Sequence, residues 1–492
     1  MATFAALIGT STADDLHNRI LNMPVKEFNK INNSETVNLI TNECTRLTDS
    51  IIQPLMIINA KIFLIFLIAA GMIYISPYLA IISFFTFGIT YYFLYTIVRN
   101  RLFLNGLIIT EKNKRRLNII ENSTNIFKEI KLYFPSTRQS FTFSDEGNEL
   151  AKKKGESAAI SQIPRYIIEY LALAVVIIAF IYQSYQNQAE LGLIVANLSG
   201  FGAAAFKLLP ATQQVYQSIA QIRGNTSALR EILKYYTGKV DVTEPNISKS
   251  SFKKSIQVKN LTYAINDVKI LDDVSFTIKK GESIGFVGKS GAGKSTLLSI
   301  LLGFVDDYDG EMLIDGRNIK ENKYDNYLKS LNSYVPQDYS IFNDSIRKNI
   351  DLKNELSDED IYHILKMTNL YDYINDLQDG LDTLVSSNTL ELSGGQKQRI
   401  LISRAIASNR DIIYLDEGTS ALDGINEKDI VRNIEKDSSK TIVMVAHRLK
   451  TLINCNKIYI MDQGKIVESG SYHELAKNSP LFKLLNSDDQ KK

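Results

Sequence analysis

The segment Gly288-Lys-Ser-Gly-Ala-Gly-Lys294-Ser295 decides the fold of the second half of this chain. It follows an apolar run, Glu282 to Val287, that predicts a strand, and it leads into Lys294 to Leu302, which predicts a helix. A glycine-rich turn at such a junction is a P-loop, in which backbone N–H groups and the helix N-terminus bind phosphate oxygens. We expect Lys294 to reach the β and γ phosphates and Ser295 to bind Mg²⁺. The sequence therefore predicts a nucleoside triphosphate site in an α/β domain.

A second anion site is predicted at Leu392-Ser-Gly-Gly-Gln396. This segment precedes a predicted helix that runs through Arg399 to Ala407, so Ser393 and the glycine N–H groups lie at a helix N-terminus. One subunit cannot bring both of its anion sites to the same nucleotide. The two motifs together indicate nucleotide sites that are shared between subunits.

Two carboxylates end an apolar strand in Ile412-Ile-Tyr-Leu-Asp416-Glu417. Asp416 suits a residue that holds Mg²⁺ through water, and Glu417 suits a general base that polarises the attacking water. The alternative interpretation of an acidic strand end is a solvated turn, which the spacing from the P-loop disfavours.

Short strand patterns and helices alternate from Ser255 onward. The pattern predicts an α/β P-loop core with an antiparallel β flank and a helical subdomain. The predicted strands are Gln257 to Ala264, Ile270 to Ile278, Ser283 to Val287, Ser333 to Pro336, Asp411 to Asp416 and Thr441 to Ala446, and the predicted helical segment is Asp344 to Leu377.

The first half contains four apolar stretches long enough to cross a bilayer, which takes roughly 20 helical residues. Ser76-Pro77 separates the first two, because proline cannot continue a helix. Gly71 to Val98 contains no charged residue, which favours membrane helices over buried helices of a soluble core. The four predicted spans are Ile52 to Ile75, Tyr78 to Val98, Tyr166 to Gln183 and Leu191 to Gln213.

The charges of the loops predict the orientation of these spans. Arg99 to Arg165 contains thirteen Lys or Arg residues, whereas the short loops around Pro77 and at Tyr185 to Gln188 contain none. The positive-inside rule places the long loop, and with four crossings both chain ends, in the cytosol, and we expect a bacterial inner membrane. Helical spacing in the loop predicts two helices that turn near Pro135 to Asp145.

Ionisable residues within membrane spans are candidates for function. Glu169 and Lys207 are predicted to lie at similar depth, where they pair or line a substrate path. The alternative is that the helix ends extend into the cytosol and both residues are solvated. The role of Lys61 is also left open, since its side chain can extend to the membrane–water interface on the cytosolic side.

The net charge of the chain argues against nucleic acid as a partner. The formal net charge is only +2, so the sequence gives no case for binding nucleic acid. The two cysteines, Cys44 and Cys455, lie in segments predicted to be cytosolic. We interpret both as reduced, small hydrophobic residues.

On these motifs the chain resembles a half-transporter of the ABC exporter type, with fused transmembrane and ATP-binding domains. Further matches occur in the family's order: Tyr263 for the aromatic ring stacked on adenine, Tyr334-Val-Pro-Gln337 for the glutamine that senses the membrane domain, Ser420-Ala-Leu-Asp423 for the loop that crosses the dimer interface, and His447 for the switch histidine. A strand tyrosine packed on the surface is the alternative for Tyr263.

The resemblance implies roles for individual residues, with ATP and Mg²⁺ as the ligands. It implies contacts to ATP from Tyr263, Gly288, Lys289, Ser290, Gly291, Ala292, Gly293, Lys294, Ser295, Thr296, Ser393, Gly394, Gly395, Gln396 and Asp423, to Mg²⁺ from Ser295, Gln337 and Asp416, and catalytic roles for Glu417, His447 and Gln337.

Leu392 to Gln396 resembles the family's signature segment. In the family, each ATP is clamped between the P-loop of one subunit and the signature segment of the other, so a second ABC subunit is an implied partner. All motifs are intact, which favours a homodimer and leaves a heterodimer possible. Gly418, where the family often has Pro or Ala, and Ser386-Ser-Asn-Thr before the signature depart from the family pattern without removing a catalytic group.

The resemblance also sets the expected domain layout. Exporter subunits of this type have six membrane helices, and the four spans match helices three to six, so we expect the first two to be absent from this sequence. The expected domains are a coupling segment at 1–50, a transmembrane domain at 51–230 with its cytosolic helical extension at 99–165, a linker at 231–253 and the nucleotide-binding domain at 254–492.

Three functional hypotheses follow. The first is ATP-driven export or flipping of a substrate, with an amphipathic, lipid-linked or lipid-like cargo favoured because the spans carry little charge. The second is a truncated ABC protein that binds or hydrolyses ATP without transport. The third, a soluble ABC ATPase, conflicts with the four spans.

Overall fold

The computed structural model of the chain describes residues 2–75, 77–133, 136–186, 191–236, 252–319, 325–386, 390–416, 424–435, 439–446 and 448–490. The chain divides into two compact units, which we call unit 1, Met1–Val242, and unit 2, Thr243–Lys492. Each unit has its own architecture and is described by itself.

Unit 1 is helical. Its α-helices are α1 Ala2–Leu21, α2 Val25–Phe28, α3 Asn33–Val37, α4 Cys44–Leu47, α5 Gln53–Ile75, α6 Pro77–Asn125, α7 Phe127–Tyr133, α8 Ser136–Gln186 and α9 Leu191–Lys234. Two wider π-helical stretches, Asn38–Glu43 and Thr48–Ile52, connect α3, α4 and α5. The chain is therefore helical without a break from Asn33 to Ile75.

The four predicted membrane spans lie in α5, α6, α8 and α9. Within the described residues, one helix, Asn33–Tyr74, is long and apolar enough to cross a membrane, with a mean hydropathy of 2.3 and 6% of its most apolar stretch buried. Large apolar side chains elsewhere are also exposed, including Phe93 of α6 (64%) and Ile178 of α8 (64%). Such surfaces suit lipid better than a soluble core, and the number of crossings stays a prediction.

The predicted cytosolic extension is helical in its described residues. The helix α6 ends at Asn125, the short α7 follows, and α8 begins at Ser136. The part of the predicted turn at 136–145 is wrong, because these residues already form the first turns of α8. Pro135, where the predicted turn begins, lies outside the described residues.

Close contact of two glycines brings α6 and α9 together. A Cβ atom on Gly106 of α6 would overlap the carbonyl oxygen of Gly224 of α9. One turn further, the Ser227 hydroxyl donates to the Gly106 carbonyl oxygen at 3.1 Å, and Thr110 donates to Ser227 at 2.9 Å. Glycine at these positions lets the backbones approach closely enough for this polar network.

Arg46 extends the network to α4. Its guanidinium donates to Thr110 at 2.7 Å, to Asn225 at 3.0 Å, and to the buried carboxylate of Glu43 at 2.8 Å. Three helices are thereby connected by charge-assisted hydrogen bonds, which are stronger than neutral ones.

Glu169 pairs within its own helix. Its carboxylate lies 2.8 Å from the guanidinium of Arg165, four residues earlier, and both side chains are about half exposed. Pairing of Glu169 with Lys207 is therefore wrong, since the nearer arginine competes successfully, and Lys207 is itself exposed.

Unit 2 contains two sheets. The strands are β1 Ser255–Ile265, β2 Val268–Lys279, β3 Ser283–Gly288, β4 Asp309–Ile314, β5 Arg317–Asn318, β6 Asn332–Val335, β7 Ile412–Asp416, β8 Thr441–Val445, β9 Lys457–Asp462 and β10 Lys465–Gly470. An antiparallel sheet has the order β2-β1-β4-β5, and a six-stranded sheet has the order β10-β9-β3-β8-β7-β6. In the larger sheet only β10 runs antiparallel. The predicted α/β core with an antiparallel flank is confirmed.

Helices cover the larger sheet and form a separate subdomain. They are α10 Lys294–Leu301, α11 Asp325–Leu331, α12 Ile346–Ile350, α13 Asp358–Met367, α14 Tyr371–Asn375, α15 Gly394–Ala407, α16 Gly424–Glu435, α17 Tyr472–Asn478 and α18 Pro480–Gln490, with 3-10 turns at Gly380–Asp382 and Leu449–Leu452. Successive residues of β7 alternate between two apolar cores, with Tyr414 in one and Ile413 in the other. The sheet is therefore buried on both faces, as parallel sheets are.

The predicted helical segment, Asp344 to Leu377, consists of the three short helices α12 to α14. Asn354 and Asn369 lie between them with φ of 57° and 53°. Asparagine tolerates this left-handed conformation, which ends a helix. These helices share a core of their own with Leu392 and Ile400 next to the signature segment.

Candidate nucleotide-binding site

The P-loop connects β3 to α10, as the sequence predicts. Gly293 precedes the first residue of α10 with φ of 93°. A Cβ atom there would lie 2.8 Å from the Leu271 side chain and 2.9 Å from the Ile270 carbonyl oxygen. Both the backbone conformation and the space require glycine, and they let the loop pass close against β2.

Lys294 lies inside this loop. The residue is 6% exposed, and its ammonium group donates to the carbonyl oxygens of Gly288 at 2.8 Å and Lys289 at 3.1 Å. The charge is thereby held within the concave side of the loop. Ser290, Gly291 and Ser295 are exposed beside it, Ala292 and Gly293 are buried, and Thr296 is half-buried.

The parallel sheet brings the predicted site residues to one edge. The strands β3, β8, β7 and β6 are neighbours, and their carboxyl ends all lie on that edge. Gly288 ends β3, Asp416 ends β7, and Gln337 follows β6 on the exposed surface. Open α/β sheets bind ligands at this edge.

Asp416 is 8% exposed and accepts a hydrogen bond from the Tyr334 hydroxyl at 3.3 Å. Burial, followed by the neighbouring Asp416 carboxylate, raises the pKa of Tyr334 above its ordinary value. The phenol therefore stays neutral and keeps its proton for donation. Sequence reasoning missed Tyr334 as a partner of Asp416, because the contact depends on the pairing of β6 with β7.

Tyr263 lies on β1 opposite Leu271, whose side chain faces Gly293 of the P-loop. It is only 7% exposed and belongs to the apolar core of the unit. The interpretation as a surface-packed tyrosine is therefore wrong, because the ring is buried between strands. The position beside the P-loop suits a contact with a nucleotide base.

The helix that follows Ser393 of the signature segment begins at an earlier residue than expected. The helix α15 starts at Gly394, so Gly394, Gly395 and Gln396 form its first turn and do not precede it. The Gln396 N–H donates to the Ser393 hydroxyl at 3.2 Å, while the Gln396 side chain accepts from the Ser393 N–H at 2.8 Å. This reciprocal capping box explains the early start.

Ser393 and Gly394 are exposed, so the N-terminus of α15 is open at the surface of unit 2. A helix N-terminus carries partial positive charge and attracts anions. Leu392 is buried beneath it at 4% exposure and anchors the segment.

Three predicted site residues, Glu417, Asp423 and His447, lie outside the described residues. In sequence, Glu417 directly follows the last residue of β7, Asp423 directly precedes α16, and His447 directly follows Ala446.

The residues at the sheet edge fit Mg²⁺. This ion is usually bound by one or two protein ligands together with substrate phosphates. Ser295 in the first turn of α10 and Asp416 at the end of β7 supply a hydroxyl and a carboxylate of that kind. No cluster of three or more His, Cys, Asp or Glu residues occurs in the part of the chain that the structure describes.

Comparison with known proteins identifies the family. A family model described as "ABC transporter" matches residues 271–420. An ATP-dependent lipid A-core flippase of Pseudoalteromonas translucida is 30% identical over 487 residues, covering 96% of this chain and 82% of the relative. This chain belongs to the ABC transporter family.

Two further relatives and one solved structure match this ABC transporter. An ATP-dependent lipid A-core flippase of Francisella tularensis subsp. holarctica is 27% identical, covering 96% of the chain and 78% of the relative. The leukotoxin translocation ATP-binding protein LktB of Mannheimia glucosida is 38% identical over 54% of the chain and 38% of the relative. A solved bacterial Atm1-family ABC exporter with ATP bound superimposes with a TM-score of 0.85 at 22% identity, covering 99% of the chain and 86% of that structure.

The expected family and fold are therefore confirmed. The ABC transporter has a helical membrane domain fused to an ABC ATPase domain, and its activity is ATP hydrolysis coupled to transport. Exporters of this family work as dimers of half-transporters.

Proposed function

We propose that this transporter exports or flips an amphipathic, lipid-linked or lipid-like cargo across the inner membrane of a bacterium, with unit 2 in the cytosol. The observation that carries the proposal is the match to lipid A-core flippases over 96% of the chain. The exposed apolar helices of unit 1 support a membrane setting, and the low charge of the spans favours such a cargo over a small ion.

In the proposed mechanism, the P-loop N–H groups and Lys294 hold the phosphates of ATP, and Tyr263 contacts the adenine. Ser295, Asp416 and Gln337 would hold Mg²⁺, which would supply positive charge beside the phosphates. Tyr334 keeps the Asp416 carboxylate in place.

The remaining roles concern the attacking water and the partner subunit. Glu417 accepts a proton from the water as it attacks the γ phosphate, and His447 contacts that phosphate. The open N-terminus of α15, at Ser393, covers the nucleotide of a second subunit, and Asp423 contacts the dimer interface. A homodimer suffices for two complete sites, and a heterodimer with a related half-subunit would be organised in the same way.

The test is reconstitution of the chain in liposomes, with ATP hydrolysis and movement of a fluorescent phospholipid between leaflets measured on the same sample. We expect both activities in the wild type, and neither in Glu417→Gln, which keeps the shape of the side chain. Persisting hydrolysis in Glu417→Gln would overturn its assignment as the base. Hydrolysis without lipid movement, with lipid A-type and phospholipid probes alike, would favour an ABC protein that does not transport lipids.

A further inference from the structure

Unit 1 contains a cavity of about 350 Å³ between α5, α6 and α9. This volume lies in the range of about 300–1,000 Å³ that is typical of ligand pockets. Its lining is formed by Ile65, Tyr91, Tyr92, Tyr95, Thr212, Val215, Tyr216 and Ile219. Apart from phenol and threonine hydroxyls, the walls are hydrocarbon, which suits an apolar occupant.

The walls of the cavity are held in place before any ligand enters. Tyr216 is 4% exposed, and its ring centroid lies 5.5 Å from that of Tyr91. The Tyr91 hydroxyl donates to Thr212 at 3.3 Å, which connects α6 to α9 across the cavity. A rigid aromatic wall of this kind reduces the entropy that is lost on binding.

The cavity continues into the exposed apolar surface of the same helices. Tyr92, at its rim, is 72% exposed, and its neighbour Phe93 is 64% exposed. Ile219 at the α9 rim is 37% exposed. An acyl chain can therefore enter sideways from the hydrocarbon phase without crossing a polar barrier.

Two arginines lie next along α9. Arg223 and Arg230 both stack on Phe103 of α6, with guanidinium carbons 5.1 Å and 4.9 Å from the ring centroid. Neither forms an ion pair with a carboxylate in the described part of the chain, and the Arg223 Nε atom is buried without a hydrogen-bond partner. Arg230 is exposed, whereas Arg223 is half-buried, and stacking on one ring does not replace the counter-ion that the Arg223 guanidinium requires.

The arginines and the cavity share one face of α9. Thr212, Tyr216, Ile219, Arg223 and Arg230 follow each other at spacings of three, four and seven residues, which align on a helix. From Tyr216 to Arg223 the distance along the axis is about 10 Å, at roughly 1.5 Å per residue. An apolar pocket is thus followed, on the same face, by two unpaired cations.

We propose that this face binds an anionic phospholipid, with one acyl chain in the cavity and the phosphate between Arg223 and Arg230. Guanidinium groups bind phosphate oxygens through paired hydrogen bonds, and two of them match the charge of a phosphate. The inference rests on the proposed function, which places the carboxyl end of α9 in the cytosol. The lipid would then stand as cytosolic-leaflet lipids do, with its chain toward the bilayer centre, and the inner boundary of the bilayer would lie near Arg223, ten residues beyond the predicted end of the α9 span at Gln213.

The experiment uses the full chain in phosphatidylcholine nanodiscs that contain phosphatidylglycerol with a diazirine on one acyl chain. After irradiation, the labelled peptides are mapped by mass spectrometry. We expect labelling at 212–219, reduced about tenfold in the double variant Arg223→Gln/Arg230→Gln through loss of charge-assisted hydrogen bonds. Val215→Trp, which fills the cavity, is expected to remove the label even where the arginines are intact.

Arg101→Gln is the matched control, since Arg101 is on α6, two residues before Phe103, but is 67% exposed and lies 3.8 Å from Glu156. It removes one positive charge, where the double variant removes two, and should leave the label unchanged. Labelling that is confined to exposed residues such as Phe93, equal with diazirine phosphatidylcholine, or equal in the double variant would overturn the proposal. Loss of label on addition of soluble glycerol phosphate would assign the arginines to a soluble anion and would also overturn it.

This experiment separates the inference from the proposed function. Specific labelling in a sample that hydrolyses ATP but moves no lipid supports the site and contradicts lipid transport. Lipid movement with no specific labelling supports transport and removes the site.

Discussion

The Tyr334 hydroxyl donates to the Asp416 carboxylate across two adjacent parallel strands, over 3.3 Å. Because Asp416 is buried, it has little water to replace this donor. We expect Tyr334→Phe to weaken Mg²⁺-dependent ATP hydrolysis about tenfold, as expected for loss of a hydrogen bond to a charged group. The measurement is the Mg²⁺ concentration for half-maximal ATPase rate. Tyr459→Phe, which loses a hydrogen bond to the Thr277 carbonyl oxygen, is the control and should leave that concentration unchanged.

Ser393 and Ser357 both begin helices through a capping box, and of the two only Ser393 is expected to contact a nucleotide. Ser393 begins α15, and Ser357 begins α13 with Asp360 as its partner. Ser393→Ala and Ser357→Ala should each lower the free energy of unfolding by about 1 kcal/mol, since each removes one cap. Only Ser393→Ala should also lower the ATPase rate, by about tenfold. Equal rates in the two variants would mean that Ser393 acts on the helix alone.

The Gly106–Gly224 contact predicts an effect on stability. Gly106→Ala places a methyl group against the Gly224 backbone and should destabilise unit 1 by about 1–3 kcal/mol, the usual cost of overpacking. Thermal unfolding of the purified chain in detergent measures the change. Gly88→Ala, in the same helix but with open space around the new methyl group, should leave the unfolding temperature unchanged or slightly raised.

The buried thiol of Cys455 predicts that the free energy of unfolding depends on pH. Burial raises the pKa of its thiol from 9.0 to about 12. Above pH 9 the unfolded chain loses a proton that the folded chain keeps, so the free energy of unfolding should fall as the pH rises from 9 toward 12. Comparing Cys455→Ala with the parent in a Cys44→Ala background measures this slope, which should be flatter in the variant. A parent slope equal to that of the variant would show that the thiol ionises in the folded chain.

The sequence predicted the turn between β3 and α10 well, because a P-loop depends on local backbone chemistry. Gly293 and Lys294 required a particular turn between a strand and a helix, and the structure has it at the expected residues. The strands on either side agree with the predicted ranges to within a few residues. Parallel pairing then brought Asp416 and Gln337 to the edge where Gly288 ends β3.

Contacts between distant segments could not be predicted in this way. The partner of Asp416 depends on which residue of β6 faces β7, and the stacking of Arg223 on Phe103 depends on the offset of α9 against α6. Two predictions made from local sequence were wrong. Gly394-Gly395 indicates a loop by composition, although the Ser393 cap makes it helical, and Glu169 found a nearer partner in Arg165.

The glycine contact between α6 and α9 has a mechanical consequence. With no side chain at Gly106 or Gly224, the two backbones lie against each other, and the hydrogen bonds of Ser227 and Arg46 fasten them at the next turn. Sliding one helix along the other would break these hydrogen bonds. The two helices are therefore coupled at this point, and we expect a displacement of one to carry the other with it.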